Sequence, residues 1–275
     1  MTTTRTEQPT AGTERAVQRR GVPWPRAVAG IAGGLLRSWV RDPGIVVQSL
    51  VFPAFLLAMF QLVLGKTVTS MGGGESVYAN TGLVALTGGL FGGLSTAIAL
   101  AAERETGVLA RQWTLPVPRA AFLSGRLCAE MIRVGVSTVV LYLVAMTMGF
   151  RFDQGFLAAL GALAVPMIFT AGLAAPITAM ALRTNGAQTI QLVGGLSLLL
   201  LFFNSGFAPV AEYPDVLQPV VRYQPMTPAV DAIKALTEGG AITAPLLGTV
   251  AWTVVLIAAF GPLVVRGFRR AAATS

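Results

Sequence analysis

Six apolar stretches, each near the twenty residues that carry an α-helix across a lipid hydrocarbon core, most constrain what this chain can become. They cover Ile45–Gly65, Gly82–Ala102, Met131–Phe150, Phe156–Leu182, Gln188–Phe207 and Pro245–Val265. Within a bilayer nothing but the chain itself satisfies backbone N–H and C=O groups, so runs of this length fold as helices. The sequence therefore predicts an all-α integral membrane fold with six transmembrane helices. Charged residues make up only 12% of the 275 positions, about half the share of a soluble domain. Once these spans are built, too little chain is left for a soluble nucleotide-binding domain.

The spans differ in ways that bear on packing. Pro53 is expected to kink the first, with neighbours satisfying the carbonyl it frees. The second is rich in small residues, among them Gly88, Gly89, Gly92, Gly93, Ser95 and Ala97. Small residues let helix backbones approach closely, which places this span inside the bundle or at a dimer seam. The fourth carries Pro166 and Pro176 and is long enough to bend or tilt.

Outside the spans, residues 1–22 are rich in Thr, Gln, Glu and Arg and read as a disordered tail. Residues 23–42 place Val28, Ile31, Ala32, Leu35 and Trp39 at helical spacing, with Arg26, Arg37 and Arg41 elsewhere. That pattern predicts a helix lying in the membrane interface; the start of a tilted first span is the other reading. Residues 208–243 hold five prolines and mix apolar with acidic residues. They are expected to form short helical pieces that re-enter the bundle from the outer side. Residues 269–275 read as a second tail.

Sixteen of the twenty basic residues fall on one side of the six spans. The positive-inside rule puts both termini, and the connection between the second and third spans, in the cytoplasm. The +8 net charge is explained by this topology rather than by nucleic acid. There is no His and one cysteine, Cys128, so His-based catalysis, most metal sites and an intrachain disulfide are excluded. Gly65-Lys66-Thr67 imitates the end of a phosphate-binding loop, but Phe60 stands where that loop needs Gly.

The second-to-third connection reads E-R-E-T-G-V-L-A-R-Q-W-T-L-P-V-P-R over Glu103–Arg119. Residues 103–115 suit a short amphipathic helix. Val108, Leu109 and Trp113 would seat it on the membrane side, and Glu103, Arg104, Glu105 and Arg111 would face a soluble partner. Gly107 permits a sharp break, and Pro116 and Pro118 end the element. A plain solvated loop is the competing reading.

Polar and aromatic residues inside the spans are the candidates for a substrate path: Gln48, Phe52, Phe91, Thr96, Phe203 and Asn204. Interhelical hydrogen bonding and ordinary packing would use the same residue types. No acid or base is placed at mid-membrane, where ion-coupled carriers usually keep one, so the energy for any transport is expected from outside this chain.

Three segments together resemble a known family: the charged stretch, L-S-G-R-L at Leu123–Leu127, and N-S-G-F-A-P-V with Y-P-D-V-L-Q-P-V-V-R-Y-Q-P-M-T-P-A-V-D-A-I-K-A-L over 204–236. The chain resembles type-2 ABC exporter permeases, closest to the daunorubicin-resistance and mycobacterial complex-lipid (Drr-type) group. The resemblance implies a permease domain over 23–268 in the cell membrane, with no catalytic residue, cofactor or metal of its own. ATP and Mg would be bound by cytoplasmic ABC ATPase subunits. Two permeases, identical or related, would pair and export an amphipathic drug, polyketide or complex lipid. Glu103, Arg104, Glu105, Gly107 and Arg111 would then face the ATPase. The alternatives are a non-transporting membrane scaffold and a membrane-embedded lipid-modifying enzyme.

Overall fold

A computed structural model describes residues 22–70, 76–108, 119–206 and 208–273, and among these the chain is helical, with no strand. Helix α1 spans Trp24–Arg41. Helix α2 starts at Pro43–Val46, passes through a π turn at Val47–Val51 and continues as Phe52–Ser70. Helices α3 (Ser76–Glu105), α4 (Arg119–Thr147), α5 (Phe156–Ala181) and α6 (Gly186–Phe202) follow. A 3-10 turn at Val210–Glu212 leads to α7 (Gln218–Tyr223), α8 (Met226–Glu238) and α9 (Thr243–Ala273).

Five of these helices are long and apolar enough to cross a membrane, over Pro43–Val63, Asn80–Glu105, Ala120–Thr147, Phe156–Ala181 and Thr243–Phe268. The stretch expected as a span over 188–207 is shorter than that. Helix α6 has 17 residues, about 26 Å at the α-helical rise. It stops because Asn204 turns its amide back to the Leu200 and Leu201 carbonyls, which have no helical partner.

Sequence determines several local features directly. Asp42 caps α2 by accepting from Gly44 N–H at 3.0 Å and Ile45 N–H at 3.2 Å, with Pro43 at the first helical position. Pro53 cannot donate to the Ser49 carbonyl. The π turn lies just ahead of it, closed by Phe52 N–H on the Val47 carbonyl. In α5, Pro166 leaves the Ala162 carbonyl without its helical donor, and the Tyr142 hydroxyl of α4 supplies one at 2.9 Å.

The core lies where α3 and α5 cross, with α4, α6, α8 and α9 around them. Leu83, Leu86, Leu90, Val165 and Ile233 are completely or almost completely buried there. Gly89 and Gly93 of α3 are used within the bundle. A Cβ on Gly89 would overlap the Thr170 hydroxyl of α5, and one on Gly93 would stand 2.7 Å from Ile177 Cδ1. Helix α1 lies along α4, where Ile31 presses on Gly125. Trp39 Nε1 also donates to Ser49 Oγ of α2 at 3.1 Å.

The two expected tails fare differently. All of the expected N-terminal tail except Val22 lies outside the described residues. At the other end α9 carries on to Ala273, past position 268 where the second tail was placed. Ala and Arg favour helix, and a basic residue in the last turn, here Arg270, complements the helix C-terminus.

Candidate functional site

Helix α3 runs unbroken from Ser76 to Glu105, so Glu103, Arg104 and Glu105 form its last turn rather than a separate helix. The break comes at Gly107, whose φ of +71° suits glycine, and helix resumes at Val108. Leu109, Arg111 and Trp113 lie outside the described residues.

The three charges of that last turn are engaged within the chain. Glu103 forms an ion pair with Arg126 of α4. Arg104 Nη1 donates to the Thr184 carbonyl at 3.2 Å. Glu105 Oε1 accepts from the Gly186 N–H at 3.0 Å, covering an amide at the start of α6 that has no helical partner. Asn185 covers another, accepting from Gln188 N–H at 2.8 Å.

The third membrane-length helix takes in charges that lay ahead of the expected span or at its edge. Helix α4 begins at Arg119 rather than near residue 131, so Arg126, Glu130 and Arg133 are inside it. Glu130 is 7% exposed. It accepts from Thr96 Oγ1 of α3 at 2.9 Å and pairs with Arg133. Charges within a membrane helix persist when they are paired toward the bundle interior, which is why these do not end the span. A legible signal was present: R-x-x-x-E-x-x-R places all three charges on one helical face. Arg126 also lies over the Phe122 ring, 5.0 Å from its centroid.

This polar wall separates two cavities. One, of about 150 Å³, lies under α1 and is bordered by Leu35, Trp39 and Ala99. The other, of about 160 Å³, lies among α3, α4, α5 and α9, bordered by Gly93, Ala174 and Ile257. Thr96, Arg126 and Glu130 line both.

Of the path candidates, Gln48, Phe52 and Phe91 come together in a narrow groove between α2 and α3. The rings of Phe52 and Phe91 meet edge to face at 6.1 Å. Thr96 faces the polar wall instead. Phe203 and Asn204 are at the far end of α6, where Asn204 is fully buried and accepts from Gly206 N–H at 2.7 Å. The six residues therefore do not line one cavity of this chain. Beside Asn204, Ser205 Oγ donates to Asp231 Oδ1 of α8 at 2.6 Å, and Tyr213 donates its hydroxyl to the Asn204 carbonyl at 3.0 Å.

Five apolar helices of membrane length, with charged residues closing α3, define a multi-pass membrane protein. The sequence profile of the ABC-2 type transporter family matches residues 31–236. The chain is 34% identical over 238 residues to "Probable doxorubicin resistance ABC transporter permease protein DrrC" of Mycobacterium tuberculosis (strains CDC 1551 / Oshkosh and ATCC 25618 / H37Rv), covering 86% of each chain. It is 29% identical over 178 residues to "Daunorubicin resistance ABC transporter permease protein DrrB1" of Streptomyces coeruleorubidus, covering 63% of this chain and 62% of that one. The chain belongs to the ABC-2 type transporter family and is a membrane permease subunit.

Proposed function

We propose that this permease exports an amphipathic compound from the cell, driven by a separate cytoplasmic ABC ATPase that binds ATP and Mg. The carrying observation is the form of α3: one helix extends from the packed core to three charged residues and a glycine break. Such a helix converts a push on the charged turn into movement of the core. Glu103, Arg104, Glu105, Gly107 and Val108, with Leu109, Arg111 and Trp113 beyond, form the ATPase-coupling region. The names of the relatives, which specify doxorubicin and daunorubicin resistance, support an amphipathic drug or a lipid of similar character as substrate.

The remaining topology belongs to the same proposal. The biased distribution of basic residues supports cytoplasmic termini. Helix α6 serves as the fifth of six spans, its 17 residues extended by the turn at Asn204. Helix α1 lies in the interface, and residues 208–243 form an outer re-entrant element whose α8 is buried from Met226 to Thr237 along one face. Helix α2 is little covered by its own chain, with Leu62 84% exposed. It suits contact with lipid and with a second permease, so that Gln48, Phe52 and Phe91 face a path between two copies or two related subunits.

Co-purification with an ABC ATPase in detergent, followed by ATP hydrolysis in lipid, tests this reading. A stoichiometric complex whose hydrolysis responds to amphiphiles is the expected result. A folded permease that captures no ATPase would leave the scaffold reading in its place.

A further inference from the structure

The cavity among α3, α4, α5 and α9 exists because the side chains facing it from α5 are small. Ala171, Ala174, Ala175 and Thr178 recur there at helical spacing and line it together. Helices α4 and α9 flank the space and are not packed together along their lengths. The Phe122 and Phe268 rings join them near one end, edge to face at 5.8 Å. Ile257 borders the cavity and is 42% exposed, close to the exposed Val254 and Val255 on a face of α9 that the bundle leaves open. The space therefore opens toward the lipid side of α9. Its polar lining is largely satisfied from within. The Thr96 hydroxyl donates to Glu130 at 2.9 Å, and the Thr170 hydroxyl donates to the Pro166 carbonyl at 2.7 Å. Arg126 is the exception: Nη2 holds Glu103, but Nε is buried with no hydrogen-bond partner.

We propose that this cavity is a lipid site within the single chain: it takes one acyl chain of a membrane lipid, whose ester carbonyl oxygen accepts from Arg126 Nε–H. This rests on the multi-pass membrane placement and not on the ATPase-driven reading above. Size fits first. At about 160 Å³ the cavity matches a dry protein cavity that admits benzene, room for about six methylene groups. The rest of the chain leaves past Ile257 into the bilayer. Depth fits as well. Helix α4 has 29 residues, about 43 Å of rise, so about 6 Å extends beyond each face of a hydrocarbon layer about 30 Å thick. Arg126 is about 10 Å from the start of α4, just inside the boundary at which lipid esters lie. Charge selects a neutral acceptor. Arg126 is paired with Glu103 and Arg133 with Glu130, which leaves the wall no surplus charge for an anion. Water is a poor occupant, because Arg126 Nε is the one buried lining atom without a partner among the described residues, and a buried water needs about two to four partners. Lipid tails are as apolar as these side chains, so removal from water contributes little. The gain comes from filling a void whose walls lack dispersion contacts and from giving a buried donor its acceptor.

The test uses the full-length permease, without any ATPase, in phosphatidylcholine nanodiscs. A small fraction of the lipid carries a photoreactive diazirine about six carbons from the ester, where the cavity ends. Crosslinked residues are mapped by mass spectrometry. Ala174, Ala175 and Ile257 should be labelled, with exposed Leu143 of α4 as the measure of ordinary lipid contact. The same phospholipid with ether-linked chains lacks the carbonyl. Its labelling of the three cavity residues should fall about tenfold, with Leu143 unchanged. Arg126→Lys keeps a cation for Glu103 and removes the Nε donor, so it should erase the difference between ester and ether. Ala174→Leu adds three carbons to a space for about six and should cut labelling of Ala175 and Ile257 about tenfold. Cavity residues labelled no more than Leu143 overturn the proposal, as does equal labelling by the two lipids in the wild type. Labelling that survives in a folded Ala174→Leu protein overturns it too. Should that variant fail to fold, the ester–ether comparison in the wild type still decides. Loss of the cavity label on adding doxorubicin, with Leu143 unchanged, would give the space to a drug-like amphiphile instead of lipid and overturn the assignment.

Discussion

Thr96 of α3 donates its hydroxyl to Glu130 of α4 across 2.9 Å, joining two membrane-length helices through a buried acid. The other Glu130 oxygen holds Arg133, and one helical turn earlier Arg126 holds Glu103. The α3–α4 contact is therefore a ladder of charges rather than apolar packing alone. The same ladder is the wall between the two cavities.

Replacing Glu130 by Ala should be among the more damaging single changes in the bundle. It leaves the Arg133 guanidinium, itself only 12% exposed, without its carboxylate, and breaking a buried pair costs about 3–5 kcal/mol. Replacing Glu130 and Arg133 together by Leu should recover much of that loss. Thermal unfolding in a fixed detergent would compare the variants, and a double variant no better than Glu130→Ala would refute the pairing.

The Tyr142 hydroxyl exists, on this account, to serve a carbonyl orphaned by proline. Tyr142→Phe should destabilise by about 1–3 kcal/mol, the usual consequence of an unsatisfied buried acceptor. In a Pro166→Ala background the helix supplies its own donor to the Ala162 carbonyl, and the loss should shrink. A double-mutant cycle measures the coupling directly; a coupling energy near zero would separate the tyrosine from the proline.

Much of this was legible beforehand because continuous apolarity needs no tertiary information. The spans within α2, α3, α5 and α9 follow from it. Arg126 and Glu130 fell outside the expected third span because hydropathy treats a charge as a span boundary, whereas the i, i+3 spacing of Glu130 and Arg133 makes them partners on one face. The end of α6 escaped for the opposite reason. Leu200–Phe203 is as apolar as any span, and only the folding back of the Asn204 amide stops the helix. The charges of the turn were visible, but their partners were not. Glu105 meets a backbone amide 81 residues further along the chain, a relation that no local pattern encodes.

Glycines in this chain should divide by location. Gly89→Ala brings a methyl against Thr170 between the two central helices, and overpacking of that kind costs about 1–3 kcal/mol. Gly195→Ala meets open space in α6 and should be neutral or stabilise by up to about 1 kcal/mol through helix propensity. Unfolding temperatures that fail to separate the two would argue against the tight α3–α5 crossing.

Asp231 ties the outer element to pH. Burial raises its carboxyl pKa above the ordinary 3.8, and the Ser205 hydrogen bond and the Lys234 charge only partly oppose this. A raised folded-state pKa means that the folded chain holds the proton more tightly than the unfolded chain. The resulting stability is fully present below the ordinary aspartate pKa and is lost as pH rises through the folded value. Above the ordinary aspartate pKa the wild type therefore loses stability that an uncharged side chain at this half-buried position would keep. Asp231→Asn keeps an oxygen for Ser205 and removes the charge. It should unfold at a higher temperature than the wild type at pH 7, and the advantage should fade as pH falls toward 4. A difference that stays constant across this range would mean that Asp231 titrates alike in both states, and the outer element would then owe nothing to its ionisation.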